Sequence, residues 1–195
     1  MVMAGTAVTL AIIGVILFTS SRPQPSPAEM RKLQILEAAE RTRGGALLIG
    51  DSITEGQKID ELCGLRVLNA GISGSRVHDW AQLAPKLVEK VRPELVVYAL
   101  GVNDAAHDPD LDVARWADAY EQLRRVPAPR VHVLGVLEAE GQFSWLNERV
   151  ARMNKVLSRE PGYIRPFNTR GSTIDGLHLN TLGKSRWTQT LRGIC

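Results

Sequence analysis

The sequence runs to 195 residues with a net charge of +3, 44% hydrophobic and 23% charged residues, which is one ordinary globular domain's worth of chain with enough apolar content for a core. Its basic residues are scattered rather than interleaved with aromatics along a stripe, so nothing in it points to nucleic acid as a partner. Cys63 and Cys195 are the only cysteines: too few for a disulfide framework and without metal-ligand spacing. Cys63 falls in an apolar-periodic segment and is expected as a buried thiol, Cys195 as free or paired.

Residues 2–18 form a nearly unbroken apolar run without a charge, short for a transmembrane helix and slightly long for the core of a secretory signal. Neither a basic residue before the run nor a clean small-residue cleavage site at Thr19-Ser20-Ser21 supports a cleaved signal, so residues 1–21 are expected as an N-terminal hydrophobic helix that anchors the chain to a membrane. The basic residues that follow, Arg22, Arg31 and Lys32, argue by the positive-inside rule for a cytoplasmic domain.

Residues 22–43 are expected as a linker and helix. Arg22 to Pro27 alternates proline with polar residues, as a stiff extended linker does. Ser26, Pro27 and Glu29 then stand as N-cap, first helical residue and capping-box partner, opening a helix that Gly44-Gly45 stops. From residue 44 to 195 the pattern is one of strands separated by helices. Strands are expected at Ala46–Ile49, Leu65–Leu68, Leu95–Leu100, Val131–Leu137 and, more weakly, Tyr163–Phe167. Helices are expected at Val77–Val91, at Val113–Leu123, from a Ser144 cap through Val156, and after His178 to Arg192. Such βαβ units close right-handed into a parallel sheet covered on both faces.

Three polar segments follow predicted strands: Gly50-Asp51-Ser52, Asn69-Ala70-Gly71 and Gly101-Val102-Asn103-Asp104. In a parallel sheet the strand ends that lead into helices share one edge, the edge where open α/β sheets bind ligands. Ester hydrolysis requires a nucleophile, a base, a group that orients the base, and donors for an oxyanion. Ser52 supplies the hydroxyl; the backbone N–H groups of Ser52 and Gly71 and the amide of Asn103 can supply donors. Of the four histidines, His132 alternates within a strand and reads as structural, and His78 and His107 read as surface residues, with His107 a backup because it lies four residues beyond Asn103. His178 follows Asp175 by three in a glycine-containing loop, so that the carboxylate can reach Nδ1 and leave Nε2 for Ser52. Asp175 can equally be read as a cap of the final helix.

These residues, Gly50-Asp51-Ser52, Gly71, Gly101-x-Asn103-Asp104 and Asp175-x-x-His178, resemble in order the four sequence blocks of the SGNH (GDSL-like) superfamily of esterases and lipases, across residues 46 to 190. The resemblance implies a flavodoxin-like three-layer α/β/α sandwich with a five-stranded parallel sheet. It also implies a Ser52–His178–Asp175 triad, an oxyanion hole of Ser52, Gly71 and Asn103, and no metal or organic cofactor. Gly-Asp-Ser-Ile-Thr in place of Gly-Asp-Ser-Leu is similar to small acetyl esterases and acyl-chain hydrolases, which points to a short acyl ester or an acylated glycan as substrate and away from long-chain lipids. The family's habit favours an extracytoplasmic domain, against the charge rule. Three alternatives remain at this level: an acyltransferase using the same triad, a flavodoxin-like domain holding phosphate at Ser52 and Thr54, and a catalytically inert glycan-binding module.

Overall fold

A computed structural model describes residues 24–195. The run expected as a membrane anchor, residues 2–18, and the first residues of the linker lie outside the described residues. Among the described residues no helix is long and apolar enough to cross a membrane.

Helix α1 (Pro27–Glu40) starts as its sequence dictates: the Ser26 hydroxyl accepts from the Glu29 N–H, and the Glu29 carboxylate accepts from the Ser26 N–H. The chain then alternates through β1 (Ala46–Gly50), α2 (Ser52–Glu55), β2 (Glu61–Leu62), β3 (Leu65–Gly71), α3 (Leu83–Val91), β4 (Leu95–Ala99), α4 (Val102–His107), α5 (Val113–Arg124), β5 (Arg130–Leu134), α6 (Asn147–Leu157), β6 (Tyr163–Ile164) and α7 (Thr181–Arg192). The sheet order is β2-β3-β1-β4-β5-β6. β3, β1, β4, β5 and β6 run parallel, the five strands expected. β2 is a sixth, antiparallel strand on the edge beside β3, so the sheet is mixed rather than wholly parallel. β2 is too short to carry a periodic signal, but its hairpin turn, Cys63 and Gly64 at φ 54° and 76°, has the two left-handed residues that a two-residue connection favours.

Helices cover both faces. Leu47, Ile49, Val96 and Tyr98 point into a large cluster under α1, α3, α5 and α6, where Ile35, Leu87, Tyr120 and Met153 are buried. Ala46, Leu48, Leu95 and Val97 point the other way, onto Trp187 and Leu191 of α7. The alternation along β1 and β4 is thus split between two cores, and α1 is part of the first core through Ile35 and Ala39.

Several expected elements come out shorter, each for a local reason. The single helix over 77–91 is a 3-10 turn (Val77–Trp80) followed by α3, because Pro85 has no N–H to continue a helix through residues 81–85. β5 stops at Leu134, and the Val136 peptide bonds instead to the Asn154 side chain at both its N–H and C=O (2.8 Å each). β6 ends at Ile164, two residues before Pro166, which cannot donate to a ladder. Ser144 lies inside a 3-10 turn (Gly141–Leu146) that precedes α6 rather than capping it. The expectation of a buried thiol at Cys63 is corrected too: Cys63 is bonded to Cys195. Its partner is 132 residues away, and no spacing rule reaches that far.

Two carboxyls are buried at the carboxyl edge of the sheet. Asp51 caps α2, its Oδ1 accepting from the Ile53 N–H at 2.9 Å. Asp104 accepts from the Val77 N–H through both oxygens, at 3.2 and 3.3 Å. Burial pushes Asp51 up to about 7, the Ile53 N–H opposing and the Asp104 charge adding to the rise. Burial likewise pushes Asp104 up to about 6.

Two measurements test this architecture. Cross-linking a segment this long stabilises by about 3 kcal/mol or more, so reduction, or Cys63→Ser, should lower Tm by about 6 to 12 °C for a domain of this size; a Tm insensitive to reductant would show the two cysteines unpaired. The second concerns Asp51. In the folded state it holds its proton to about pH 7, and when unfolded only to its ordinary 3.8. Its contribution to stability is therefore full below the unfolded value and is lost as pH rises through that window. Asp51→Asn keeps a cap acceptor and removes the titration, so its Tm should fall less than that of the native protein between about pH 4 and pH 7. Parallel Tm profiles of the two proteins would contradict the burial argument.

Candidate active site

The sheet order puts a topological switch between β1 and β4. The chain leaves β1 for β3 on one side, then returns through α3 to β4 on the other. Ligand crevices of open α/β sheets lie at such a switch, beyond the carboxyl ends of the strands. Ser52 follows β1 and Asn103 follows β4, so the two flank it.

Ser52 is the first residue of α2, half-buried, with Asp51 as the N-cap. Its Oγ lies 3.1 Å from Nε2 of His178. Nδ1 of the same ring lies 2.7 Å from Oδ2 of Asp175, so Nδ1 carries the proton and Nε2 is free to accept. The other Asp175 oxygen accepts from the N–H groups of Leu177 (2.9 Å) and His178 (2.8 Å). The imidazole bond first, then these two N–H groups, hold the Asp175 carboxyl well below the usual carboxylate range. About half of each side chain in the Asp175–His178 pair remains exposed. The pair therefore sets orientation more than it stabilises the fold. Asp175 is not a helix cap: Asn180 caps α7, accepting from the Gly183 N–H at 2.9 Å.

The loop that carries Asp175 and His178 is a closed hairpin. Thr173 and Leu179 form a bridge, the Ile174 N–H donates to the His178 carbonyl at 2.8 Å, and the Glu140 N–H donates to the Gly176 carbonyl at 2.7 Å. Gly176 takes φ 102°, and a Cβ there would lie 2.5 Å from the Glu140 carbonyl oxygen, so the turn admits only glycine. The Glu140 carboxylate accepts from the Gly171 N–H (2.7 Å) and the Thr173 hydroxyl (2.5 Å). Nothing in its sequence surroundings marks Glu140 as part of the site; it is found only from the fold.

Asn103 lies in the first turn of α4. Its amide donates to the Ser75 carbonyl at 3.1 Å, which uses one of its two protons and leaves the other for a ligand. The expectation for Gly71 is corrected. Its N–H donates to Asn69 Oδ1 at 2.9 Å, and a Cβ would fall 2.1 Å from the Glu55 nitrogen. Gly71 is thus required by the packing of α2 on β3 rather than by access for a substrate. Gly74 has the opposite character: it takes φ 76°, nothing lies within 4 Å of the position of a Cβ, and among the described residues no protein acceptor engages its N–H. Its neighbours tie it to the site. Ser73 is bound to Glu55 at the end of α2, and Ser75 donates to the Gly50 carbonyl at 3.1 Å and accepts from Asn103. The sequence signal was the second glycine in Gly71-Ile72-Ser73-Gly74.

The other histidines stand apart from Ser52. His107 is exposed and turns Nδ1 to the Asn103 carbonyl at 3.0 Å, closing α4. His132 turns Nδ1 to the Gly162 carbonyl at 3.2 Å, and burial depresses its pKa. His78 faces Asp79 at 3.1 Å. Among the described residues no group of His, Cys, Asp and Glu is arranged to hold a metal ion.

A model of the GDSL-like lipase/acylhydrolase family matches residues 48–162, more than half of the chain. No curated protein gives a significant match. Among solved structures, the lipase/acylhydrolase of Enterococcus faecalis is 22% identical, over 77% of this chain and 95% of that one, with a TM-score of 0.62. A GDSL-like lipase of Bacteroides thetaiotaomicron is 14% identical over 84% and 96%, TM-score 0.65. An acetylxylan esterase of Geobacillus stearothermophilus, solved as a catalytic mutant, is 19% identical over 76% and 93%, TM-score 0.57. At these identities the likeness to solved structures is one of fold; the family match reaches the sequence itself. The chain belongs to the GDSL-like lipase/acylhydrolase family, and it is a carboxylic ester hydrolase.

Proposed function

We propose that the protein removes a short acyl group, acetyl above all, from an oxygen ester by way of an acyl-enzyme on Ser52. The observation that carries this reading is the unbroken chain from Ser52 Oγ through both His178 nitrogens to Asp175. His178 Nε2 takes the hydroxyl proton as Oγ attacks the carbonyl carbon. The tetrahedral oxyanion is met by the Ser52 N–H, unpaired as the first amide of a helix, by the free proton of the Asn103 amide, and by the Gly74 N–H in place of Gly71. As the tetrahedral species collapses, the bond to the alcohol oxygen breaks and the proton on Nε2 goes to that oxygen. Water then attacks the acyl carbon, giving its proton to Nε2, and Ser52 leaves with that proton, releasing the carboxylic acid. Asp175 holds the ring in the tautomer that makes each transfer possible.

The short-acyl preference rests on the rim. β1, β3 and β4 each turn into helical segments, at Ser52, Val77 and Val102, soon after their last residues. Among the described residues no long apolar insertion stands over the carboxyl edge to sheath an acyl chain. The half-exposed His178 and Asp175 suit an alcohol as large as a sugar ring, and an acetylated glycan is the substrate class we favour. The domain works outside the cytoplasm: the Cys63–Cys195 disulfide belongs to an oxidising compartment, which outweighs the charge of Arg22, Arg31 and Lys32. The apolar run at 2–18 would serve there as its membrane anchor.

Mutation tests the chemistry. Ser52→Ala and His178→Ala should each lower kcat by roughly 10³ to 10⁶-fold, and the double mutant should be little worse than either, since the second change removes a group already idle. An organophosphonate should label the native protein and leave Ser52→Ala unlabelled. Across nitrophenyl esters, kcat/KM should be higher for acetyl and butyryl than for decanoyl. Turnover surviving in Ser52→Ala would remove the acyl-enzyme, and a steady rise with chain length would remove the short-acyl preference.

A further inference from the structure

Helix α1 lies outside the family match at 48–162, yet one of its side chains reaches the loop beside Ser52. Arg31 donates from Nη2 to the Asn69 carbonyl at 2.9 Å and from Nε to the Gly71 carbonyl at 3.0 Å. The geometry explains why a cation is needed there. β2 pairs only with the first residues of β3, at Leu65 and Arg66. Further along, the outer edge of β3 has no strand beside it among the described residues, and its outward carbonyls require a donor. The guanidinium fork takes the place of the missing strand, satisfying alternate residues of one edge.

Arg31 does more than close an edge. Its Nε is also 3.7 Å from Oε1 of Glu55, the last residue of α2. The second oxygen of Glu55 accepts from both the N–H and the hydroxyl of Ser73, at 2.6 Å each. Ser73 directly precedes Gly74, and Ser75 is held on the other side by Gly50 and Asn103. Asn69 adds a brace from within the sheet, donating to the carbonyls of Thr54 (2.7 Å) and Gln57 (3.0 Å). The Arg31 and Glu55 side chains are about three-quarters and two-thirds buried, so their attraction is screened less than that of a surface pair.

We propose that Arg31 is a positioning residue for the oxyanion loop: through Glu55 and Ser73 it fixes the Gly74 N–H relative to Ser52. This rests on the acyl-enzyme reading given above and assigns to α1 a part in it. Gly74 sits in a turn closed by the Ser75 N–H donating to the Ile72 carbonyl at 3.1 Å, so its N–H is placed by the groups that hold Ser73 and Ser75, and a misplacement of the order of 1 Å near the reacting atoms lowers rate by as much as about 10²-fold. Glu55 is the intermediary, because one of its oxygens faces the Arg31 guanidinium and the other accepts from Ser73.

The test uses the full chain with Arg31→Ala, Arg31→Lys, Glu55→Ala and the Arg31→Ala/Glu55→Ala pair, assayed on a nitrophenyl acetate well below each variant's Tm. Arg31→Ala should lower kcat by roughly 10 to 100-fold while KM stays near the native value. Affinity for a trifluoromethyl ketone, which forms a tetrahedral adduct on the serine, should fall in step with kcat. Arg31→Lys should recover part of the loss, since an ammonium can still reach Glu55 without the fork. The double mutant should be no worse than the more affected single. A residue that only closes the edge of β3 would lower Tm and leave kcat and the ketone affinity as they were, and that result overturns the proposal. Should Arg31→Ala be too unstable to assay, Ser73→Gly, which deletes one of the two Glu55 bonds without touching α1, takes its place with the same expected direction and the same overturning result. Ser52→Ala separates the two failures: a dead Ser52→Ala beside a fully active Arg31→Ala removes the positioning role alone, whereas an active Ser52→Ala removes the acyl-enzyme and this role with it.

Discussion

The structure depends on how closely α2 can lie against the end of the sheet. Gly50 and Gly71 end β1 and β3 as register partners, and α2 rests on both. A Cβ at Gly50 would stand 1.9 Å from the Thr54 hydroxyl oxygen, and one at Gly71 would stand 2.1 Å from the Glu55 nitrogen. Neither distance is compatible with a side chain, so replacement of either glycine must push the helix off the strands. Because Ser52 opens that helix, its distance from His178 is set by a steric condition on two residues that touch no substrate. Asn69 fastens the same contact with hydrogen bonds to the carbonyls at the far end of α2.

The partner of Ser52 comes from 126 residues later in the chain, and its placement is achieved by different means. There the backbone folds on itself. The turn at Gly176, the Thr173–Leu179 bridge and the two oxygens of Glu140 fix a short hairpin whose polar groups are satisfied internally. Asp175 uses one oxygen to form the turn and the other to hold the ring. Folding the loop and orienting the base are therefore one event. A carboxylate at that position serves both purposes, because the imidazole bond first and then the N–H groups that shape the turn keep it ionised.

The sequence was legible where a physical rule acts over a few residues. Apolar runs bounded by glycine gave five of the six strands, the Ser26–Glu29 capping box gave the start of α1, and the spacing of Asp175 and His178 gave a bond that geometry then displays. It was illegible where the determining contact lies far along the chain. Gly71 and Gly74 are both glycines in one loop, and only the position of α2 shows that the first is required by packing and the second left open. Cys63 looked like a core thiol because its neighbours are apolar; that Cys195 comes to meet it follows from the course of α7 across the sheet. Arg31 read as one more basic residue after an apolar run, and the missing strand beside β3 that gives it work cannot be seen in a one-dimensional pattern. Pro85 and Pro166 were visible all along, and weighting them more heavily would have cut two elements to their observed lengths.

That course of α7 joins stability to the site. On one face of the sheet α1, α3, α4, α5 and α6 share the cover, whereas on the other α7 contributes Trp187 and Leu191 to the buried cluster. α7 begins just after His178, at the carboxyl edge, and ends by the turn that precedes β3, at the opposite edge, where Cys195 is bonded to Cys63. At the first end it is held by the Asn180 cap and the Glu140-bound hairpin, and at the second by a covalent bond to the sheet edge. Between those two ends run the twelve residues of α7. The disulfide and the serine–histidine contact stand at opposite edges of the sheet, near the two ends of α7.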